Sequence, residues 1–151
     1  MKVLISGAGI AGPALAYWLS QYGFRPTLVE AAPRLRTGGY IVDFWGSGYV
    51  IADRMSLLPV IHSQGYRLQD VRVVNDCGET VSGFPADAFS RVTDGHYISV
   101  ARGDLAALIY SKIDGKVETL FGDTISALDQ NASCIHVSFE RSPARDFDLV
   151  I

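Results

Sequence analysis

Six residues near the start of the chain, Gly7-Ala8-Gly9-Ile10-Ala11-Gly12, have the spacing G-x-G-x-x-G. They follow a short β-branched apolar run, residues 2–6, and open a segment in which Ala11, Ala14, Leu15, Trp18 and Leu19 recur at helical spacing. A turn of this kind serves a pyrophosphate. Gly7 permits the tight turn, Gly9 lets a phosphate approach the backbone, and Gly12 lets the helix pack close to the strand. The helix start offers free N–H groups and the positive end of its dipole. Eighteen residues after Gly12, Glu30 closes a second apolar run, residues 26–30. A carboxylate there accepts hydrogen bonds from an adenosine ribose. It also repels a 2′-phosphate, so the site is expected to hold FAD or NAD rather than NADP. The competing reading is a glycine-rich turn in an ordinary α/β fold, with Glu30 solvated.

Positioning these residues requires a βαβ unit, and the first thirty residues supply one. Pro13 lies in the first helical turn, where its missing N–H costs little. Gly23 stands where a glycine ends the helix of residues 10–22. Residues 33–48, with Pro33, Gly38, Gly39, Gly46 and Gly48, read as a loop with short extended pieces. Residues 49–58 read as a helix that Pro59 breaks or restarts. Residues 68–75 and 79–83 form a hairpin around Asn75-Asp76-Cys77-Gly78. A strand over 97–100 and a helix over 104–113 follow. Strand candidates then cover 116–121, 125–129, 135–140 and 147–151. The expected fold is α/β, with four parallel strands in the order 3-2-1-4. These are 116–121, 26–30, 2–6 and 147–151, the last a central strand buried on both faces.

Composition narrows the function classes. The chain has 151 residues, enough for one domain with a core, and is 48% apolar and 19% charged. Its net charge is −3, and its 13 Lys and Arg form no basic stripe, which argues against nucleic acid or an anionic membrane as partner. Cys77 and Cys134 form no metal spacing, nor do His62, His96 and His136, so no metal is expected. The opening stretch loosely mimics a signal peptide, but three glycines and a proline interrupt it. A cytoplasmic protein with no integral membrane association is expected.

The segment Gly7 to Leu19, followed by Glu30, closely resembles the flavin-binding start of class A flavoprotein monooxygenases. These are the para-hydroxybenzoate hydroxylase-like enzymes, which include the tetracycline-inactivating ones. Three more segments match in order. "RLRTGGYIVDFWGSGYVIADRMSLLP" is similar to the family's loop and helix after the second strand. "ISVARGDLAALI" is similar to its R-x-x-L helix start, with Arg102 and Leu105. "DFDLVI" is similar to the strand that leads into its G-A-D-G signature.

The resemblance implies a Rossmann-like FAD-binding fold with a β-meander crossover, and residues 66–100 as the start of a substrate-binding sheet. It implies that Gly7, Gly9, Ile10, Ala11 and Gly12 line the FAD pyrophosphate and that Glu30, with Ala31, binds the adenosine ribose. Arg36 would sit near the cofactor phosphates, Arg102 would contact FAD, and Asp43 would lie close to the flavin. Thr124 and Ile125 fall where the family's third strand passes the adenine, a weaker match. Bland readings stand beside these: a solvated Arg36, an Arg102–Asp104 pair, and Asp43 as a turn residue.

The implied cofactors are tightly bound FAD with NADPH or NADH as reductant. The implied reaction hydroxylates an aromatic or polyketide-like small molecule with O₂. No residue stands out as catalytic, as expected where the cofactor carries the chemistry. The family continues beyond the last matching segment, so the chain is expected to be a partial FAD-binding domain, weak or inactive alone. Another FAD or NAD oxidoreductase, and a truncated non-catalytic nucleotide-binding module, remain as alternatives.

Overall fold

The computed structural model describes residues 1–66 and 68–151, with Phe89 described by its backbone alone. Its elements, in chain order, are β1 (Lys2–Ser6), α1 (Ala11–Gln21), β2 (Arg25–Glu30), β3 (Ile41–Trp45), α2 (Gly46–Arg54), α3 (Leu58–Gln64), β4 (Asp70–Val74), β5 (Thr80–Pro85), α4 (Asp87–Val92), β6 (Tyr97–Ala101), α5 (Arg102–Tyr110), β7 (Glu118–Phe121), β8 (Ile125–Gln130), β9 (Ile135–Phe139), β10 (Arg145–Phe147) and β11 (Leu149–Val150). The chain divides into two compact units, Met1–Thr37 with Leu105–Ile151, and Gly38–Asp104.

The first unit holds a four-stranded parallel sheet in the order β11-β1-β2-β7. Val3, Leu4 and Ile5 of β1 are buried on both faces, which is why that strand is apolar without alternation. One face carries Val3, Ile5 and Leu28 against Ala8, Ala16 of α1, Ile113 and Val117. The other carries Leu4 and Val29 against Val137, Phe139 and Phe147. Those three belong to a three-stranded antiparallel sheet, β10-β9-β8. Tyr22 and Gly23 close α1, and Gly23 takes the left-handed conformation at φ +80° that favours glycine there.

The last apolar run departs from expectation. Residues 147–151 are not one central strand. The chain changes sheet at Asp148, whose carboxylate accepts the Lys2 amide. Phe147 ends β10, paired with Ile135 of β9, while Leu149 and Val150 pair with Val3 and Leu4 of β1. Among the described residues β11 is the edge of its sheet, with Leu149 38% and Ile151 52% exposed. The apolar run thus serves two sheets: Phe147 enters the core beneath β1, while the residues after it lie along β1's free side.

The second unit pairs β3 with β6 antiparallel, Asp43 opposite Ser99, and β4 with β5 as a hairpin. Buried Tyr49, Ala52, Met55, Leu57, Ile61, Ile98 and Val100 form its interior. The expected helix of residues 49–58 is two helices, α2 beginning at Gly46 and α3 at Leu58. Pro59 lies in the first turn of α3, so it restarts the helix. Residues 33–48 hold β3 as an extended piece within the loop, as expected, while α2 starts at Gly46, earlier than expected. α4 was not expected, and α5 begins at Arg102, two residues before the expected start.

Candidate functional site

The site is built from the end of β1 outward. Gly7 donates its amide to the Val29 carbonyl at 2.7 Å, tying the turn to β2, and adopts φ +108°. A Cβ on Gly12 would fall 2.0 Å from the Gly7 carbonyl oxygen, so α1 can start this close to β1 only with glycine at 12. No side chain caps the start of α1; its first helical bond runs from the Ala14 amide to the Ile10 carbonyl at 3.3 Å, and Pro13 has no N–H to offer. The amides ahead of that bond are the donors a pyrophosphate needs.

Glu30 closes the turn from the other side. Its carboxylate accepts the Ala8 amide at 2.8 Å and the Ala32 amide at 2.9 Å, with the Arg36 guanidinium 3.7 Å away. Burial pushes its pKa up, but the two amides and Arg36 outweigh burial and hold it below the ordinary carboxylate range. An ionised acceptor therefore stands fixed at the end of β2.

The turn between β7 and β8 is strapped to the same place. The Gly122 amide donates to Ala32 O at 2.9 Å and the Asp123 amide to Glu30 O at 3.2 Å. Asp123, only 4% exposed, accepts the amides of Thr124 and Arg141 at Oδ1 and of Ser142 at Oδ2, at 2.8 to 3.0 Å. The Ser142 side chain and these amides outweigh burial and pull its pKa down to about 2.

In the second unit, Asp43 Oδ1 accepts the Tyr97 hydroxyl at 2.8 Å and the Ser99 hydroxyl at 2.7 Å. Burial and the Asp43 carboxylate raise the Tyr97 pKa. Arg102 donates its amide to Tyr40 O at 3.0 Å, and its guanidinium stands 6.0 Å from the Tyr40 ring centre, within cation–π range. A Cβ on Gly103 would lie 2.8 Å from Gly38 N and O, so the Gly38-Gly39 loop lies directly on the start of α5.

No protein-family model matches the chain. It is 38% identical to an uncharacterized protein of Mycobacterium tuberculosis, over 99% of this chain and 40% of that one. It is 33% identical to a flavin-dependent monooxygenase of an unknown prokaryotic organism, over 99% of this chain and 38% of that one. The solved structure of the tetracycline destructase Tet(55) matches with a TM-score of 0.82 and 32% identity, over 99% of this chain and 37% of that one. The chain is a relative of flavin-dependent monooxygenases. It spans 38–40% of the length of the curated relatives named here.

For this monooxygenase relative, the first unit brings together the Gly7–Gly12 turn, Glu30, Ala31, Arg36 and the turn carrying Thr124. Ile125 is partly buried, and its side chain packs with Leu4, Val29 and Val137 in the core. Asp43 and Arg102 lie in the second unit. Sequence reasoning missed Asp123, Ser99 and Tyr97. The sequence did carry a signal for Asp123: an aspartate after glycine between two strand candidates is a turn former that accepts backbone amides. Among the described residues no cluster of His, Cys, Asp or Glu could hold a metal, and no helix is long and apolar enough to cross a membrane.

Proposed function

We propose that these 151 residues form the FAD-binding portion of an NAD(P)H-dependent flavin monooxygenase that hydroxylates an aromatic or polyketide-like small molecule in the cytoplasm. The observation that carries this reading is the uncapped start of α1 beside Glu30, in a chain related to flavin-dependent enzymes along its whole length. A pyrophosphate site in a flavin enzyme points to FAD rather than FMN, which has a single phosphate. The donor set fits: backbone amides and a helix dipole for the phosphates, and an ionised carboxylate for a ribose.

When bound, FAD supplies the electron transfer from NAD(P)H and the activation of O₂. The chain's residues bind and orient it. Gly7, Gly9, Ile10, Ala11 and Gly12 would line the pyrophosphate, with Arg36 adding positive charge nearby. Glu30 and Ala31 would take the ribose, with Thr124 beside them and Ile125 acting through the core beneath. Asp43 would accept a hydrogen bond from the flavin end, and Arg102 would complement its oxygens. No residue is assigned a proton-transfer role. The isolated residues are expected to hydroxylate weakly or not at all, because they span well under half of the relatives' length.

The test is to purify the protein with excess FAD, record its flavin spectrum, and follow NAD(P)H oxidation in air with a panel of aromatic compounds. A retained flavin with slow, substrate-independent oxidation is expected. Protein that retains no flavin contradicts the cofactor, and substrate-dependent oxidation contradicts the expected inactivity.

A further inference from the structure

Arg141 follows β9, and its amide is fixed by Asp123 Oδ1 at 3.0 Å. Its side chain is exposed, and among the described residues no ion pair engages it. The guanidinium folds back over the turn between β7 and β8. A Cβ on Gly122 would meet Arg141 Nη1 and Pro33 Cα, each at 3.7 Å. Glycine at 122, in the left-handed region at φ +69°, leaves that space free. The bare Gly122 backbone thus has the Arg141 guanidinium and the Pro33 backbone close by.

The position of this turn is set by two hydrogen bonds. The Gly122 amide donates to Ala32 O and the Asp123 amide to Glu30 O, so the turn adjoins the end of β2, where the carboxylate assigned to the ribose stands. Glu30 already has Arg36 as counter-charge at 3.7 Å and does not need a second cation. The phosphates are already assigned to the Gly7–Gly12 turn and Arg36. What remains for a free planar cation next to a ribose site is the face of a base, on which guanidinium groups stack.

We propose that Arg141 lies against the adenine ring of the bound dinucleotide, with Asp123 positioning it. The inference rests on the FAD reading of the glycine turn and Glu30. It adds a contact at the adenine end that the G-x-G-x-x-G pattern does not contain.

The experiment measures the affinities of FAD and of ADP, by calorimetric titration, for the wild-type chain, Arg141→Ala and Arg141→Lys. Both substitutions leave the Arg141 amide on Asp123, so unchanged melting temperatures are expected. Arg141→Ala is expected to weaken FAD and ADP by the same factor, about fivefold to tenfold. Arg141→Lys is expected to recover little of it, because a lysine carries the charge without the planar face. Unchanged affinities for both ligands overturn the proposal. So does a loss confined to FAD, which moves the contact to the flavin half, or full recovery by lysine, which makes it a phosphate contact. If the wild-type chain binds neither ligand, the FAD reading itself falls, an outcome distinct from all of these.

Discussion

At the scale of single residues, two carboxylates at the ends of β2 and β7 carry most of the site's order. Glu30 is held ionised by the Ala8 and Ala32 amides and by Arg36, against the cost of burial. Its pKa is lowered in the fold, so its contribution to stability is present above the ordinary carboxylate value and lost as pH falls through the folded value. Glu30→Gln keeps the shape and removes the charge. FAD affinity, measured by titration, is expected to fall about tenfold, the scale of a charge-assisted hydrogen bond. Asp123 is the more deeply fixed group, with a pKa of about 2 against an ordinary 3.8. Asp123→Asn is expected to lower the melting temperature at neutral pH. The gap from the wild type should close as pH falls from about 4 to about 2; a gap constant across that range would contradict the assignment. The role of Asp123 was hard to see in the sequence because its three amide donors come from residues 124, 141 and 142. Two of those lie across a strand pair. Glu30, by contrast, could be read directly, since its main partner is the turn that the glycine spacing already marks.

At the scale of elements, the close approach of α1 to β1 depends on Gly12. A methyl group there would overlap the Gly7 carbonyl, so Gly12→Ala must push the helix start away from the turn. A loss of about 1–3 kcal/mol is expected, the usual cost of overpacking. FAD affinity should fall with it, since the helix amides and the turn move apart. Chemical denaturation and FAD titration of the same variant check both. The β1–α1–β2 unit was legible because every signal in it is local: an apolar run, a glycine turn, a 3.6-residue period and a closing glycine. The split of residues 147–151 between β10 and β11 was not. It depends on the Lys2 amide meeting the Asp148 carboxylate across 146 positions of sequence. The sequence of residues 147–151 alone cannot indicate that Phe147 pairs in a different sheet from Leu149 and Val150. Phe147 is 4% exposed and stacks edge-on to Phe139 with ring centres 6.5 Å apart. Phe147→Ala is expected to cost about 3–5 kcal/mol, measured by denaturant unfolding. A cost below 1 kcal/mol would mean the antiparallel sheet does not depend on that contact.

At the scale of the whole molecule, a parallel sheet packed between helix α1 and the three-stranded sheet forms one unit, and the β3–β6 pair with its helices forms the other. The first unit carries every residue assigned to the pyrophosphate and adenosine, and the second carries Asp43 and Arg102. The proposed cofactor site therefore rests chiefly on the first unit, whose glycine turn and Glu30 are proposed to bind the ADP half of FAD. The most direct measurement is a fluorescence titration of the purified 151-residue chain with FAD, followed by competition with ADP, for the wild type and Glu30→Gln. Saturable binding at one site, displacement of FAD by ADP, and a weaker site in the variant are expected. FAD that fails to bind, or that binds without displacement by ADP and equally well to Glu30→Gln, would contradict the proposed site.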